Sequence, residues 1–342
     1  MKNRWWILVS IGLFAFMSNL DASIVNVAMP VMAKQLNIPM NQIEWVVSLY
    51  LIVLSALLLF FGKPGDLYGK IRIFRIGTVV FLVGSLLSGW QINFPFLLFG
   101  RIIQGLGGAM TLSNTYGITT ATFDLKERGR AMGFISTFVA LGAVAGPGVG
   151  GIILAKLPWG YIFWVNLPIG IIAIILGMFV LPKSTAETSG KIDWAGFLNF
   201  ALLIVSFFVA IFIGQEIGYL KPLPLALYAI AIITFWGFIQ SEKRADSPLM
   251  PLSMFKIKPF TYGVGAAVLI FLSNFFTVVI MPFYLEDARH LSASAAGFLL
   301  IIFPIVMTFA GPFGGYLADH FSQSRVATLG LLIVAIGQSG YI

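Results

Sequence analysis

The sequence of 342 residues contains no cysteine, only two histidines and few charged residues. Without cysteine the chain can form no disulfide, no cysteine-held iron–sulfur cluster and no thiol nucleophile. His290 and His320 both lie near the ends of predicted helices, so we expect no histidine metal centre. Charged residues make up 10% of the chain, whereas a soluble domain has about 25%. A chain with so little charge cannot cover a water-facing surface, which excludes a soluble globular protein.

Long apolar runs recur throughout the sequence, and 59% of its residues are hydrophobic. A helix needs about 20 residues to cross a bilayer core of ~30 Å. Lipid cannot satisfy backbone polar groups, and these runs are longer and less alternating than barrel strands, so they are helices. Ten complete spans are predicted, at about residues 5–33, 43–62, 73–92, 95–122, 130–155, 160–181, 194–216, 222–240, 259–286 and 292–313. An eleventh begins near Val326, so we expect an all-α polytopic membrane protein that is C-terminally truncated.

The positive charges indicate the orientation of the chain. With a cytoplasmic N-terminus, sixteen Lys and Arg residues fall in cytoplasmic loops and four in outer loops, while Arg101 lies inside the fourth span. Because positive residues collect in cytoplasmic loops, this asymmetry predicts a cytoplasmic N-terminus and supports the number of spans. We expect a multi-pass protein of the bacterial inner membrane. It also explains the net charge of +8 without a nucleic-acid partner.

No extramembrane domain is predicted between the spans. The longest polar stretch, Ser241 to Lys258, is shorter than 20 residues, and the linker from Pro182 to Asp193 is similar. Neither segment can hold an ATPase, and the sequence has no G-x-x-x-x-G-K-[ST] phosphate loop. If the protein is a pump, its energy comes from an ion gradient, with no cofactor.

A glycine-rich charged loop follows the second span, G-K-P-G-D-L-Y-G-K-I-R-I-F from residue 62. Gly62 and Gly69 allow a tight turn and close helix approach. Asp66 can accept hydrogen bonds from a neighbouring helix N-terminus or pair with Lys70 and Arg72. The alternative is an ordinary charged loop that only obeys the orientation rule.

Part of this loop recurs after the tenth span, in the segment from Gly315 to Asp319. The aspartates Asp66 and Asp319 are 253 positions apart. Two equivalent six-helix halves would bring them closer together, so two extra helices are expected between the halves.

Polar residues interrupt two of the predicted spans. Asp21 and Asn26 lie near the middle of the first span, and Arg101 and Gln104 lie in the fourth. A charge inside the membrane costs at least ~2.5 kcal/mol, so Arg101 needs a carboxylate, a carbonyl or a water-filled cavity. Asp21 is accordingly a candidate proton or cation site. The alternatives are a structural contact between helices for Asp21 and an arginine that extends to the membrane surface for Arg101.

Small residues at intervals of four occupy the fifth span and predict backbone-to-backbone helix packing. They are Gly142, Gly146, Gly150 and the adjoining Gly151, with a kink expected at Pro147. A bare G-x-x-x-G would indicate ordinary packing only.

These motifs together resemble the major facilitator superfamily. The loop at Asp66 is similar to its G-x-L-A-D-x-x-G-R-[KR] motif, although Pro64 replaces a usual Leu and Leu67 a frequent Arg. The fourth span resembles the R-x-x-Q-G-x-G motif, associated in the family with proton coupling, and the fifth resembles the exporter motif G-x-x-x-G-P-x-x-G-G. The first span resembles L-D-x-[ST]-x-V-N-x-A-x-P of drug:proton antiporters.

Two further segments resemble the fourteen-helix members of that branch. Trp159 to Gly170 is similar to W-R-x-x-F-x-[IV]-N-x-P-x-G, with Gly160 in place of the usual Arg, and Asp193-Trp-Ala-Gly196 is similar to the D-x-x-G that opens an extra helix pair. The resemblance implies inverted three-helix repeats, with an N-terminal bundle at 1–181, the extra pair at 182–258 and a partial C-terminal bundle at 259–342.

The function implied is proton-coupled export of amphipathic, cationic drugs by alternating access. Asp21, Asn26, Arg101 and Gln104 would serve proton coupling or substrate, and the loops at Asp66 and Asp319 would gate the cytoplasmic side. Protons, small amphipathic substrates and the lipid bilayer are the expected partners of a monomer. The alternatives are an exporter of a lipid, sugar or antibiotic, and a membrane scaffold or sensor that has lost transport. No nucleophile–base constellation favours an enzyme.

Overall fold

The computed structural model describes residues 4–182, 190–285, 289–290 and 293–339. Within these ranges every regular element is a helix. The α-helices are α1 Arg4–Leu36, α2 Met40–Ile43, α3 Trp45–Tyr68, α4 Lys70–Ser88, α5 Phe94–Thr122, α6 Arg128–Lys156, α7 Tyr161–Trp164, α8 Asn166–Val180, α9 Trp194–Ile217, α10 Pro222–Arg244, α11 Lys258–Phe283, α12 Ala293–His320 and α13 Gln323–Ser339. A single 3-10 turn, Leu252–Lys256, precedes α11.

The helices confirm the predicted all-helical membrane fold. Eight segments of the described chain are long and apolar enough to span a membrane, with α2 and α3 together forming one of them and α7 and α8 another. The helices α11, α12 and α13 occupy the positions of the ninth, tenth and eleventh predicted spans. The expected boundaries at residues 286 and 292 lie outside the described residues.

The first eight helices form a bundle around α1, which packs against α6 and α8, while α5 packs against α3 and α4. The interior is aromatic and aliphatic: the ring of Phe14 meets that of Phe81 edge-on, with centroids 5.3 Å apart. Helix α9 packs outside this bundle on α3, and α10 packs on α9. Phe60 and Phe197 join α3 to α9 with ring centroids 4.1 Å apart, and Trp45 and Phe212 do so 5.2 Å apart.

The helices α6 and α12 contact each other along the first part of α6. Gly129 packs against the backbone of Gly315, and Gly133 against that of Gly311. One turn further, Thr137 Oγ1 donates a hydrogen bond to the carbonyl of Thr308 at 3.0 Å. Three turns further on the same face, a β-carbon at Gly148 would meet no neighbouring atom within 4 Å. The contact therefore closes one end of the interface and leaves the other end of α6 open.

Candidate functional site

A buried ion pair joins Asp21 on α1 to Arg101 on α5. Arg101 Nη1 lies 2.7 Å from Asp21 Oδ2, and both side chains are 0% exposed. Arg101 Nε also donates to the carbonyl of Val46 on α3 at 2.7 Å. Arg101 thus has the carboxylate and the carbonyl that a charge inside a membrane requires. This geometry excludes the alternative in which Arg101 extends to the membrane surface.

Two side-chain amides complete the coordination of the Asp21 carboxylate. Gln104 Nε2 donates to Asp21 Oδ1 at 2.8 Å and Asn166 Nδ2 donates to the same oxygen at 2.7 Å. Gln104 Oε1 in turn accepts from Arg101 Nη1 at 2.6 Å. The hydroxyl of Ser85 on α4 contacts both amides, at 3.0 and 3.3 Å. Four helices, α1, α4, α5 and α8, therefore contribute to one group around this carboxylate, which we call the Asp21 cluster: Asp21, Ser85, Arg101, Gln104 and Asn166.

Aromatic rings cover the guanidinium of Arg101. Its Cζ atom lies 4.4 Å from the ring centroid of Tyr50 and 5.6 Å from that of Phe163. A cation over an aromatic face is attracted by the ring quadrupole, most strongly when it is desolvated. The hydroxyl of Tyr50 is also 3.2 Å from Ser18 Oγ on α1. The rings thereby fix the orientation of the arginine without adding charge.

Glycines in α5 allow the neighbouring helices to approach this cluster. A β-carbon at Gly105 would lie 2.9 Å from the carbonyl oxygen of Tyr50 on α3, and one at Gly107 would lie 2.6 Å from that of Gly77 on α4. Both distances are too short for any other residue without a backbone shift. The glycines of the R-x-x-Q-G-x-G pattern thus bring α3 and α4 close enough to reach Arg101 and Gln104.

Asn26 lies apart from the Asp21 cluster. Its side chain is exposed, and no hydrogen bond to it occurs within the described part of the chain. Asn26 follows Asp21 by five positions, which rotates the helix by about 140°, so the two side chains cannot face the same neighbours. Of the four predicted coupling residues, the structure brings together Asp21, Arg101 and Gln104 and excludes Asn26.

The segment predicted as a loop from residue 62 is helical except at Gly69, because α3 continues to Tyr68 and α4 begins at Lys70. An ion pair holds this junction of α3 and α4, for which we keep the name Asp66 loop. Lys70 Nζ lies 2.7 Å from Asp66 Oδ1, as one of the two predicted alternatives requires. Gly69, with φ of 97°, ends α3 in a conformation that favours glycine. Gly62 faces open space, and Arg72 lies in the first turn of α4.

Asp319 binds a helix N-terminus. Its two carboxylate oxygens accept hydrogen bonds from the backbone nitrogens of Gly129, at 2.7 Å, and Arg130, at 2.8 Å. These amides belong to the first turn of α6, where a negative charge is favoured by the helix dipole. Asp66 and Asp319, equivalent in the sequence repeat, therefore have different partners in the described residues.

Three of the glycines predicted to pack in the fifth span contact α1. Gly142 lies against the backbone of Phe16, Gly146 against Ser23, and Gly150 against Ile24. Ser23 Oγ also donates to the carbonyl of Ala143 at 2.8 Å.

The other two residues of this motif lie off the α1 contact. A β-carbon at Gly151 would meet no neighbour within 4 Å, and Pro147 is exposed on a helix that continues through it. The motif thus forms one packed face and one open face of α6.

A cavity of about 820 Å³ lies beside the Asp66 loop. Leucines of α3 and α5 and the segment 248–251 form its largely apolar wall, and Asp66, Lys63 and Tyr116 supply polar groups. Lys63 Nζ also contacts the hydroxyl of Ser247, which ties the loop to the segment after α10.

Comparison with known proteins identifies the family. The model of the Major Facilitator Superfamily matches residues 11–342. The chain belongs to the major facilitator superfamily. It is therefore a membrane transporter, and a solved structure of the proton:xylose symporter shares the fold, with a TM-score of 0.59 and 13% identity over 94% of this chain and 70% of that one.

Curated relatives cover nearly the whole of this transporter's chain. A riboflavin transporter of Clostridioides difficile is 34% identical over 99% of this chain and 74% of its own length. The tetracenomycin C resistance and export protein of Streptomyces glaucescens is 28% identical over 97% of this chain, and the multidrug transporter MdtP of Bacillus subtilis is 28% identical over 98%. The chain spans 62% of the length of each of these last two relatives.

Sequence reasoning missed three residues of this site: Ser85, Asn166 and Tyr50. Each is a polar side chain inside a predicted span. Asn166 was visible as the asparagine of the sixth-span motif, but its contact with Asp21, 145 positions away, depends on the packing of α8 against α1. The requirement that a buried carboxylate be fully hydrogen-bonded was the signal that could have identified it.

Proposed function

We propose that this transporter is a proton-coupled secondary exporter of amphipathic compounds, of the fourteen-helix drug:proton branch. The observation that carries the proposal is the Asp21–Arg101 ion pair, fully buried between two membrane-spanning helices. Buried charge in a membrane is costly, and a buried ion pair stabilises a fold poorly compared with apolar packing. Such a pair is better explained by a function that needs a titratable group.

In this proposal, protonation of Asp21 is the coupling step. A neutral Asp21 no longer balances the charge of Arg101, which is held on the other side by the Val46 carbonyl and the Tyr50 ring. Because the carboxylate joins α1 to α5 and α8, its protonation weakens contacts between three helices at once. The proton gradient would thereby supply the energy for the conformational change, and no cofactor is required.

Alternating access would use the glycine contacts of α6. The Asp319 bonds and the Gly129 and Gly133 contacts close one end of the α6–α12 interface, while the opposite end of α6 faces open space. We assign the closed end, which also carries the Asp66 loop, to the cytoplasmic side. This requires a cytoplasmic N-terminus in the bacterial inner membrane, as the positive charges predict.

The exposed amide of Asn26 and the 820 Å³ cavity beside Asp66 are our candidates for substrate contacts. The cavity has the size of a drug-binding pocket, and its largely apolar wall suits the apolar part of an amphipathic compound. The named activities of the multidrug and tetracenomycin C relatives support export of such compounds.

A second candidate function is export of a metabolite on the same scaffold. The observation that favours it is the riboflavin transporter of 34% identity. Among the described residues, the acidic side chain in the middle of a span is Asp21, and it is 0% exposed. This buried carboxylate does not face a substrate directly, so a cationic substrate is not required. A neutral heteroaromatic substrate that bonds to Asn26 would need no further counter-ion.

The proposed architecture follows the sequence prediction: an N-terminal bundle at 1–181, an extra helix pair within 182–258 and a C-terminal bundle from 259, acting as a monomer. The packing of α9 on α3, with α10 on α9, supports a pair that moves with the N-terminal bundle.

Transport by everted membrane vesicles tests the proposal. Ethidium and riboflavin serve as probes, and a pH-sensitive dye reports proton movement. Substrate uptake driven by an imposed proton gradient is expected, with loss in Asp21→Asn and partial retention in Asp21→Glu. Asp124→Asn is the matched control, because Asp124 is exposed and its side chain makes no hydrogen bond within the described ranges. Uptake by Asp21→Asn against a gradient at the wild-type rate would contradict coupling at this residue.

A further inference from the structure

Three fully buried polar atoms around the Asp21 cluster have no hydrogen-bond partner in the described structure. They are Arg101 Nη2, Asn166 Oδ1 and Ser88 Oγ, and all three residues are 0% exposed. Other buried hydroxyls of α4 bond to their own helix: Thr78 donates to the Phe74 carbonyl at 2.9 Å. An unsatisfied buried polar group is costly and rare, so three of them in one region require an explanation.

The three atoms lie on connected residues. Arg101 and Asn166 both contact the Asp21 carboxylate. Asn166 also contacts Ser85 Oγ at 3.3 Å, and Ser88 follows Ser85 by one turn of α4. A β-carbon at Gly100, the residue before Arg101, would lie 2.5 Å from Ser88 Oγ. The unsatisfied groups therefore extend from Asp21 along the last turn of α4.

The chemistry of these atoms selects the kind of ligand. Arg101 Nη2 can only donate, Asn166 Oδ1 can only accept, and a hydroxyl can do either. A metal cation would need acceptors alone and an anion donors alone, whereas water supplies both donors and acceptors and commonly satisfies such buried groups. The Asp21–Arg101 pair has no net charge, so the site also offers no electrostatic advantage to an ion.

We propose that Arg101, Asn166 and Ser88 hold buried water that carries protons to Asp21. This inference rests on the proposed function, in which Asp21 is the coupling carboxylate. Arg101 Nη1 and Nη2 belong to one planar guanidinium, so water bonded to Nη2 lies next to the carboxylate held by Nη1. That water gives a proton to an Asp21 oxygen and takes one from the next water. The first water therefore has the same composition before and after the transfer.

The position of Ser88 gives the relay a direction. Helix α4 begins at Lys70, beside the Asp66 loop, and ends at Ser88. Two positions beyond Ser88, Trp90 lies at the surface and is 55% exposed. The unsatisfied groups thus run from Asp21 towards the membrane face opposite the Asp66 loop, which is the outer face in the proposed orientation. The charged and titratable groups packed around Asp21 are Arg101 and, against its guanidinium, Tyr50.

The replacement Ser88→Ala separates this role from a structural one. Because Ser88 Oγ has no protein partner in the described chain, its removal is expected to leave thermal stability unchanged. The matched control is Ser10→Ala, since Ser10 is equally buried but donates to the Ala173 carbonyl at 3.1 Å. Protonation of Asp21 is followed by the infrared C=O band of its carboxylic acid after a jump in external pH, in reconstituted protein.

We expect Ser88→Ala to slow the appearance of the Asp21 band by at least ~10-fold at an unchanged final amplitude, as loss of a positioned proton-transfer group does. Ser10→Ala should keep the wild-type rate. A wild-type rate in Ser88→Ala would overturn the relay while leaving coupling at Asp21 intact. If the band persists in Asp21→Asn, it does not come from Asp21. Asp21 is then not the proton acceptor, and the proposed function is contradicted.

Discussion

Asp319 on α12 caps the N-terminus of α6 through both carboxylate oxygens, 2.7 Å from the nitrogen of Gly129 and 2.8 Å from that of Arg130. The bonds cross from a helix near the end of the chain to one in its first half. They lie beside the backbone contact of Gly129 with Gly315, where no side chain separates the two helices. A charged cap at this point can hold the two helices together or release them without altering either helix internally.

The replacement Asp319→Ala is expected to favour separation of α6 from α12. Loss of an N-terminal cap costs about 1 kcal/mol, which changes a two-state equilibrium about fivefold. Spin labels at Lys126 and Ser322, both exposed, would show a larger population of long distances. Asp246→Ala is a suitable control, since Asp246 is exposed in the loop after α10. Distance distributions that match the wild type in Asp319→Ala would show that the cap does not hold the closed end.

The packing of the α6 glycines predicts that the effect of replacing a glycine by valine depends on its position along the helix. Gly133 lies directly against the Gly311 backbone, whereas a β-carbon at Gly151, further along the same helix, would meet nothing within 4 Å. We expect Gly133→Val to oppose closure of α6 on α12 by about 1–3 kcal/mol, the usual cost of overpacking, and to reduce transport strongly. Gly151→Val should cause little loss of folded protein. Equal yields and equal transport rates for the two variants would contradict this assignment of faces.

The sequence was sufficient to identify most of the fold and part of the site. Long apolar runs specify helices regardless of tertiary context, and a charge in such a run is visible because its burial is costly. The partner of that charge was not predictable, since the contact of Arg101 with Asp21 joins residues 80 positions apart. The cap of α6 by Asp319 was hidden for the same reason: the repeat indicated the residue but not the helix that it binds.

Helical periodicity could have improved two of the site predictions. At 100° per residue, Asn26 cannot share the face of Asp21, and Gly151 cannot share that of Gly150. The motif pattern alone treats all these positions as equivalent. The structure separates them because each face of α1 and α6 meets a different neighbour.

The orientation of the chain can be tested by single cysteines, because the sequence contains none to interfere. Lys221 and Asp246 are exposed at opposite ends of α10. A membrane-impermeant maleimide added to intact cells should label Lys221→Cys and leave Asp246→Cys unlabelled until the cells are lysed. The reverse pattern would invert the proposed orientation and would place the Asp319 cap on the outer side.

Because Asp21 and Arg101 form a buried ion pair, we expect the stability effects of replacing these two residues to depend strongly on each other. Removing one partner of a buried pair leaves an unpaired charge and costs about 3–5 kcal/mol. Asp21→Ala should therefore destabilise the protein markedly in unfolding measured in mixed micelles. The double variant Asp21→Ala with Arg101→Met should recover much of this loss, since neither charge remains and the methionine fills apolar space beside Tyr50. Transport should stay absent in both variants, because the coupling carboxylate is missing.

The Ser88→Ala variant, expected to fold normally, is the control for substitutions in the same region. If Asp21→Ala and Arg101→Met destabilise the protein additively, the two side chains do not depend on each other. If the double variant regains proton-driven transport, the pair serves the fold and proton coupling occurs at another residue.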